Sequence, residues 1–152
     1  EKAVLGPRHR SWLIEGLSFG AGVMRFRKDK TCTAWICSDP EVAREYKESE
    51  LCGFTFTDDA YLALFDLMKR AYDAEHYSCT NPKMPVLFVS GAEDPCMINV
   101  PHFAKAVQNM RHAGYLDVKG KLYPGMRHEI LNEKNKEQVY HDIAVYLKKK
   151  GY

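Results

Sequence analysis

The sequence predicts an α/β fold built around a parallel βαβ unit, and three neighbouring segments support this prediction. Residues 84–91 form a continuous apolar run of strand length, which is typical of a strand buried on both faces of a parallel sheet. Residues 99–113 carry apolar side chains at steps of three and four, which favours a helix capped by Asn99. Residues 117–123 alternate between the two faces of a strand. A strand, a crossover helix and a second strand place the two strands side by side and parallel.

Two candidate catalytic residues follow these predicted strands. Asp94 lies in the turn after the first strand, and His128 follows the second strand beyond a turn at Pro124 and Gly125. Chemistry collects at the carboxyl ends of the strands in open α/β sheets, so we expect the two side chains to lie close together. An aspartate that orients a histidine supplies two members of a Ser-His-Asp triad, and the order of Asp94 before His128 is the chain order of α/β-hydrolases.

Two longer segments around these residues resemble a known family. Residues 85–95, PVLFVSGAEDP, resemble the acid-bearing segment of α/β-hydrolases. Residues 122–132, LYPGMRHEILN, resemble the histidine segment of the lysophospholipase and monoacylglycerol lipase branch, whose members are also called serine-aminopeptidase-like. The resemblance implies that Asp94 is the triad acid and His128 the triad base. It also implies cleavage of carboxylic esters such as lysophospholipids or monoacylglycerols, without a metal or an organic cofactor.

The resemblance also divides the chain into two regions. Residues 1–80 are similar to the cap, or lid, of that branch, through the segments at 17–20 (LSFG) and 51–54 (LCGF) and through Trp35. The chain departs from the family's cap pattern at several positions between residues 33 and 38. Residues 81–152 are similar to the C-terminal part of the hydrolase core. The expected fold is therefore the C-terminal portion of an α/β-hydrolase, with a parallel βαβ unit, a final helix and a mainly helical cap.

Three further helices are predicted outside the βαβ unit. Asp39, Thr57 and Asn135 are suitable residues to cap them, and Gly151 is a suitable end for the last. The helix after Thr57 carries an apolar stripe, which we interpret as core packing, with a ligand pocket as the alternative; the stripe comprises Tyr61, Leu64, Phe65, Met68 and Tyr72. Residues 1–10 are polar and contain Gly6-Pro7, so we expect a loop there.

A Gly-x-Ser-x-Gly motif at residues 16–20 offers Ser18 as an alternative nucleophile. A nucleophile elbow requires a buried strand before the serine and a helix after it. Glu15 directly precedes the motif and Gly22 closely follows it, so neither flank fits. We therefore expect the nucleophile and the oxyanion hole to lie upstream of this chain, which we interpret as the C-terminal part of a larger hydrolase. A complete hydrolase with a short cap and Ser18 as its nucleophile is the alternative.

Composition limits the other possibilities. The 152 residues are enough for one domain with a core, and 45% hydrophobic and 28% charged residues are ordinary for a soluble protein. The net charge of +2 indicates no nucleic-acid partner, and no apolar run reaches the ~20 residues of a membrane span. Five irregularly spaced cysteines favour reduced thiols in a cytoplasmic protein, and no ligand spacing indicates a metal site. Cys96 is interpreted as a packing or loop residue.

The expected partners follow from these interpretations. They are a small-molecule or lipid ester substrate and the missing N-terminal half of the hydrolase. The apolar strand at residues 85–90 is an unpaired edge when that half is absent, so a homodimer through the exposed strand is a further possibility. A non-catalytic assembly or binding module, in which the same elements only pair with a partner chain, is the competing class of function.

Overall fold

The computed structural model describes residues 2–152, and Glu1 lies outside the described residues. The two strands are β1 (Val86–Gly91) and β2 (Val118–Tyr123). The helices are α1 (Lys2–Leu5), α2 (Trp12–Arg25), α3 (Pro40–Glu48), α4 (Asp58–Ala71), α5 (Val100–His112) and α6 (Lys136–Lys149), and short 3-10 segments are formed by Arg27–Asp29, Ala74–His76 and Pro95–Met97. The prediction of a loop over residues 1–10 is wrong where α1 forms, although Gly6 ends that helix at a φ of 88°.

The predicted βαβ unit is confirmed. Strands β1 and β2 pair in parallel, with Val86 opposite Val118 and Gly91 opposite Tyr123, and α5 is the connection between them. The side chain of Asn99 caps α5 by accepting a hydrogen bond from the backbone N–H of His102. Both strands therefore end at the same edge of the sheet, which is where the candidate residues begin.

Two glycines allow backbone and side chains to approach the sheet closely. A Cβ at Gly120 would lie 2.8 Å from the ring of Phe103, so α5 packs directly on β2 at this point. A Cβ at Gly91 would lie 2.1 Å from the carbonyl oxygen of Arg127 and 2.3 Å from that of Met126. The loop that carries His128 therefore crosses over the end of β1 in direct contact with its backbone.

One cluster of buried apolar residues lies between the sheet, this loop and the last helix. Four buried residues form it, with Val89 and Ile143 packed against them; the four are Tyr123, Met126, Ile130 and Val139. Asn135 occupies the cap position of α6 as predicted, but its side chain makes no capping hydrogen bond. The histidine loop is therefore anchored by apolar residues on both sides of His128, at Met126 and Ile130.

The apolar stripe on α4 is only partly core, which corrects the sequence interpretation. Tyr61 is fully buried and its ring lies 5.5 Å from that of Phe56. Met68 and Tyr72, the last two residues of the stripe, are 45% and 67% exposed. Within residues 2–152, no helix is both long enough and apolar enough to cross a bilayer.

We expect Gly91→Ala to destabilise the protein, because the new Cβ must displace the backbone of the histidine loop. Overpacking of this kind costs about 3 kcal/mol of unfolding free energy. Gly20→Ala is the matched control, since Gly20 lies inside α2 with nothing near its missing Cβ, and alanine there gains about 0.5–1 kcal/mol. Thermal denaturation measures both variants. Equal stability of Gly91→Ala and the wild type would show that the loop does not cross β1 in this way.

Candidate active site

Asp94 is held in place by the turn that follows β1. Its carboxylate accepts a hydrogen bond of 2.8 Å from the backbone N–H of Cys96, which caps the 3-10 segment Pro95–Met97. The hydroxyl of Ser90 donates to the other carboxylate oxygen at 3.5 Å. Asp94 is 7% exposed, so its position is fixed by backbone and burial together.

His128 reaches Asp94 across the same edge of the sheet. Its Nδ1 lies 3.1 and 3.2 Å from the two carboxylate oxygens, which confirms the proximity expected from the strand order. A carboxylate only accepts hydrogen bonds, so Nδ1 carries the proton and Nε2 is the nitrogen left for other chemistry. The His128 side chain is 42% exposed.

The contact changes the pKa of both residues. The hydrogen bond to Asp94, with a smaller contribution from the side chain of Cys96, raises the pKa of His128 to about 10. Burial by itself would raise the pKa of Asp94, but the hydrogen bonds from His128 and from the Cys96 N–H outweigh it and the pKa is lowered. In this chain the two residues are therefore an imidazolium–carboxylate pair at neutral pH.

Arg127 joins the histidine loop to the segment at residues 26–37. Its guanidinium donates to the carbonyl oxygens of Ala34 at 2.6 Å and Cys37 at 3.3 Å, and pairs with Asp29 at 2.7 Å. The same group lies 3.9 Å from the centre of the Phe26 ring, which is a cation–π contact. The residue next to His128 thus fixes the segment at residues 26–37 against the loop.

Glu133 makes a second connection between the same two segments. It is 2% exposed and accepts hydrogen bonds from the backbone N–H of Arg127 at 2.8 Å and of Ser38 at 3.0 Å, and from the Ser38 hydroxyl. A buried carboxylate without such donors would be strongly destabilising. Arg127 and Glu133 therefore hold both ends of the loop that presents His128.

Aromatic side chains from the N-terminal region lie over the histidine. The ring of Trp35 is 5.4 Å from that of His128, and Phe19 of α2 stacks on Trp35 at 5.6 Å. Gly22 lets α2 approach, because a Cβ there would lie 3.1 Å from the ring of Pro95. Residues that precede β1 in the chain thus contact His128 and also Pro95, in the turn after β1 that carries Asp94 (the acid turn).

A cavity of about 670 Å³ opens beside Asp94. Its lining is mainly apolar and includes side chains from α4, β1 and the turn after β1, among them Met68, Tyr72, Phe88, Met97 and Ile98. The exposed end of the α4 stripe is therefore pocket lining, which is the alternative that the sequence left open. An apolar cavity beside a few polar groups is the usual form of a small-molecule site.

Ser18 does not occupy a nucleophile elbow. All five residues of the Gly-x-Ser-x-Gly motif lie inside α2, and Ser18 is exposed in the middle of that helix. An elbow is a sharp turn between a strand and a helix. The structure therefore lacks the elbow that the alternative with Ser18 as the nucleophile requires.

The sequence interpretation missed three residues of this site. Cys96 is exposed and lies in a cluster with Asp94 and His128, in which one potential ligand atom from each residue lies within 4.8 Å of the others. Its spacing of two residues from the acid was the available signal. The contacts of Arg127 and Glu133 with the segment at residues 26–38 gave no local signal, since those partners are more than 90 residues away in sequence.

Comparison with known proteins identifies a family. The model of the serine aminopeptidase family S33 (Hydrolase_4) matches residues 2–135. No curated protein gave a match.

Solved structures share the fold. A thermostable carboxyl esterase from Bacillus coagulans, in complex with glycerol, is 21% identical with a TM-score of 0.82, and a lipase in an open form is 22% identical with a TM-score of 0.79. The chain is covered to 93% and 94%, but it spans only 46% of each of those chains. A monoacylglycerol lipase from Paleococcus ferrophilus is 17% identical with a TM-score of 0.61, with 93% of this chain and 55% of that chain covered.

We expect Asp94→Asn to lower the pKa of His128 from about 10 towards its ordinary value of 6.5, because the carboxylate is the main cause of the rise. Titration of the imidazole C–H signals by NMR measures this change. Asp73→Asn is the matched control, because Asp73 is the exposed carboxylate that pairs with His76. This variant should leave the His128 titration unaltered.

The same pair gives a pH-dependent stability. The pair contributes fully to the free energy of unfolding between pH 3.8 and pH 6.5. This contribution is lost as the pH rises from 6.5 through about 10, because His128 loses its proton. It is also lost below pH 3.8, because Asp94 becomes protonated. The stability difference between wild type and Asp94→Asn should follow that profile. An unchanged His128 titration in the variant would contradict the pairing.

Proposed function

The chain belongs to the serine aminopeptidase S33 family of hydrolases, and we propose that it supplies the acid and the base of a Ser-His-Asp esterase site. Its parallel strand pair and helices fit the C-terminal portion of an α/β-hydrolase fold. The observation that carries the proposal is the contact of 3.1 Å between His128 Nδ1 and Asp94 at the carboxyl edge of the sheet. Two residues from separate loops meet there, and the ring nitrogen that faces the carboxylate is the one that a triad uses.

The proposed mechanism uses His128 to move one proton twice. Nε2 takes the proton of a serine hydroxyl as that oxygen attacks the ester carbonyl, and returns the proton to the alcohol that leaves. Asp94 keeps Nδ1 protonated and stabilises the imidazolium that forms in between. Water then repeats the sequence on the acyl-enzyme. In this proposal the serine and the oxyanion hole come from residues outside this chain.

We propose an ester with an apolar acyl group as the substrate, of the lysophospholipid or monoacylglycerol type. The cavity beside Asp94 supports this class, because Met68, Tyr72 and Phe88 give it an apolar lining large enough for a small ligand. The similar structures include a carboxyl esterase and a monoacylglycerol lipase. No metal or cofactor takes part in the proposed reaction.

We propose the same division of the chain as the sequence indicates, with a cap over residues 1–80 and part of the core over residues 81–152. Glu1 lies outside the described residues. The contacts of Trp35 with His128 and of α2 with Pro95 support a role for the first region as a cover over the site. The βαβ unit and α6 form the second region.

The whole protein that contains residues 1–152 provides the test of the proposed function. It should hydrolyse a p-nitrophenyl ester and a monoacylglycerol, with a rate that rises with pH because His128 accepts a proton only in its neutral form. Asp94→Asn and His128→Gln should each lower kcat on the order of 10⁴-fold. Ser18→Ala is the control and should retain the wild-type rate.

Each contrary outcome of this experiment has a separate meaning. Unchanged rates in Asp94→Asn and His128→Gln would remove both residues from catalysis. Loss of activity in Ser18→Ala would contradict its exclusion from the nucleophile position. A folded wild-type protein without ester hydrolysis would favour the non-catalytic assembly module.

We also propose that the free edge of β1 pairs with a strand from the N-terminal half of the same protein. Among the described residues β1 pairs only with β2, and residues 86–90 are only half-buried although their composition suits a sheet interior. Without that half, we expect the 152-residue chain to form a homodimer through β1, so that light scattering gives twice the monomer mass. A monomer at all concentrations, with β1 amides protected from hydrogen exchange, would contradict the homodimer.

A further inference from the structure

The cluster of Asp94, Cys96 and His128 contains the three ligand types that zinc prefers. Zinc binds thiolate, imidazole and carboxylate groups, whereas calcium and magnesium prefer oxygen ligands alone. Among the described residues, this is the group of three such side chains whose potential ligand atoms lie within 4.8 Å of one another. We propose that these three residues bind a zinc ion.

The separations fit such an ion after a small adjustment. Ligand atoms bound tetrahedrally at about 2.0–2.3 Å from zinc lie about 3.3–3.7 Å from each other. The Nδ1–carboxylate distances of 3.1 and 3.2 Å are near that range, and the remaining separations reach at most 4.8 Å. Cys96 is exposed on its turn, so its side chain can change rotamer to close the difference.

The surroundings of Asp94 also suit a ligand. The Cys96 N–H at 2.8 Å and the Ser90 hydroxyl at 3.5 Å orient the two carboxylate oxygens of Asp94. Carboxylates that bind a metal are usually oriented by hydrogen-bond donors of this kind. Pro95 joins Asp94 to Cys96 and restricts the backbone between the two ligands. Because His128 is 42% exposed, water can supply the fourth ligand.

Zinc and the proposed base chemistry use the same groups, so they exclude each other. A bound ion needs a thiolate, a neutral imidazole and a free carboxylate, so it replaces the proton between His128 and Asp94 and releases the Cys96 proton. Zinc would therefore inhibit hydrolysis reversibly. Binding itself does not depend on the proposed hydrolase function, and only the inhibition rests on it.

Cobalt provides a direct readout of the thiolate ligand. Titration of the reduced 152-residue chain with Co²⁺ should give a thiolate-to-cobalt charge-transfer band that saturates at one ion per chain, and Zn²⁺ should abolish the band by displacement. Cys96→Ser should remove the band and weaken zinc binding at least about tenfold, and His128→Gln should weaken it by a similar factor. Cys32→Ser is the matched control, because Cys32 is also an exposed thiol, and it should leave the band unchanged.

Other results would overturn the zinc site. A wild-type chain without the band, a band that persists in Cys96→Ser, or a band that disappears in Cys32→Ser would each do so. NMR titration of His128 in Cys96→Ser checks that the histidine remains paired with Asp94 in that variant.

In the whole protein, zinc should lower the wild-type hydrolysis rate until a chelator is added, and should lower the rate of Cys96→Ser by a smaller factor at the same concentration. If zinc binds the whole protein without lowering its hydrolysis rate, the zinc site stands and the catalytic role of His128 fails.

Discussion

The crossing of the histidine loop over the end of β1 is the constraint on which the site depends. The carbonyl oxygens of Met126 and Arg127 lie where the Cβ of a side chain at residue 91 would be. Only glycine at this position therefore lets the loop pack directly against the backbone of β1. The backbone N–H of Glu93 donates to Met126 at 3.0 Å, and that of Ala92 donates to Tyr123 at 2.9 Å. The acid turn and the histidine loop are therefore joined by backbone contacts before their side chains meet.

Two charged residues, Arg127 and Glu133, also hold the histidine loop in place. Arg127 and Glu133 are largely withdrawn from water, and each is matched by backbone groups as well as by charged or polar side chains. Breaking such a buried arrangement costs about 3–5 kcal/mol, which is more than an exposed ion pair contributes. His128 is thus held by neighbours that have no part in its chemistry, and the N-terminal region contributes to the site through Trp35 and Phe19.

The Asp94–His128 pair is both a candidate catalytic dyad and a strong ion pair in this chain. A base with a pKa of about 10 holds its proton at neutral pH, and a general base works best when its pKa lies near the operating pH. A nucleophile strand and more complete burial on the exposed side of His128 would disfavour the imidazolium. The hydrogen bond to Asp94 keeps His128 charged here, and the exposure of His128 and Cys96 leaves both open to a metal ion.

The sequence by itself determined the βαβ unit, the helix caps at Asp39, Asn99 and Thr57, and the placement of Asp94 and His128 after their strands. These features are encoded in neighbouring residues, through periodicity, capping side chains and short motifs. Only the tertiary structure showed that the motif around Ser18 is helical and that the end of the α4 stripe lines a cavity. The tertiary structure also showed that Arg127 donates a hydrogen bond to Ala34 and that the thiol of Cys96 lies near His128. Such contacts join residues that lie tens of positions apart, and no local pattern in the chain specifies which distant groups will share a buried environment.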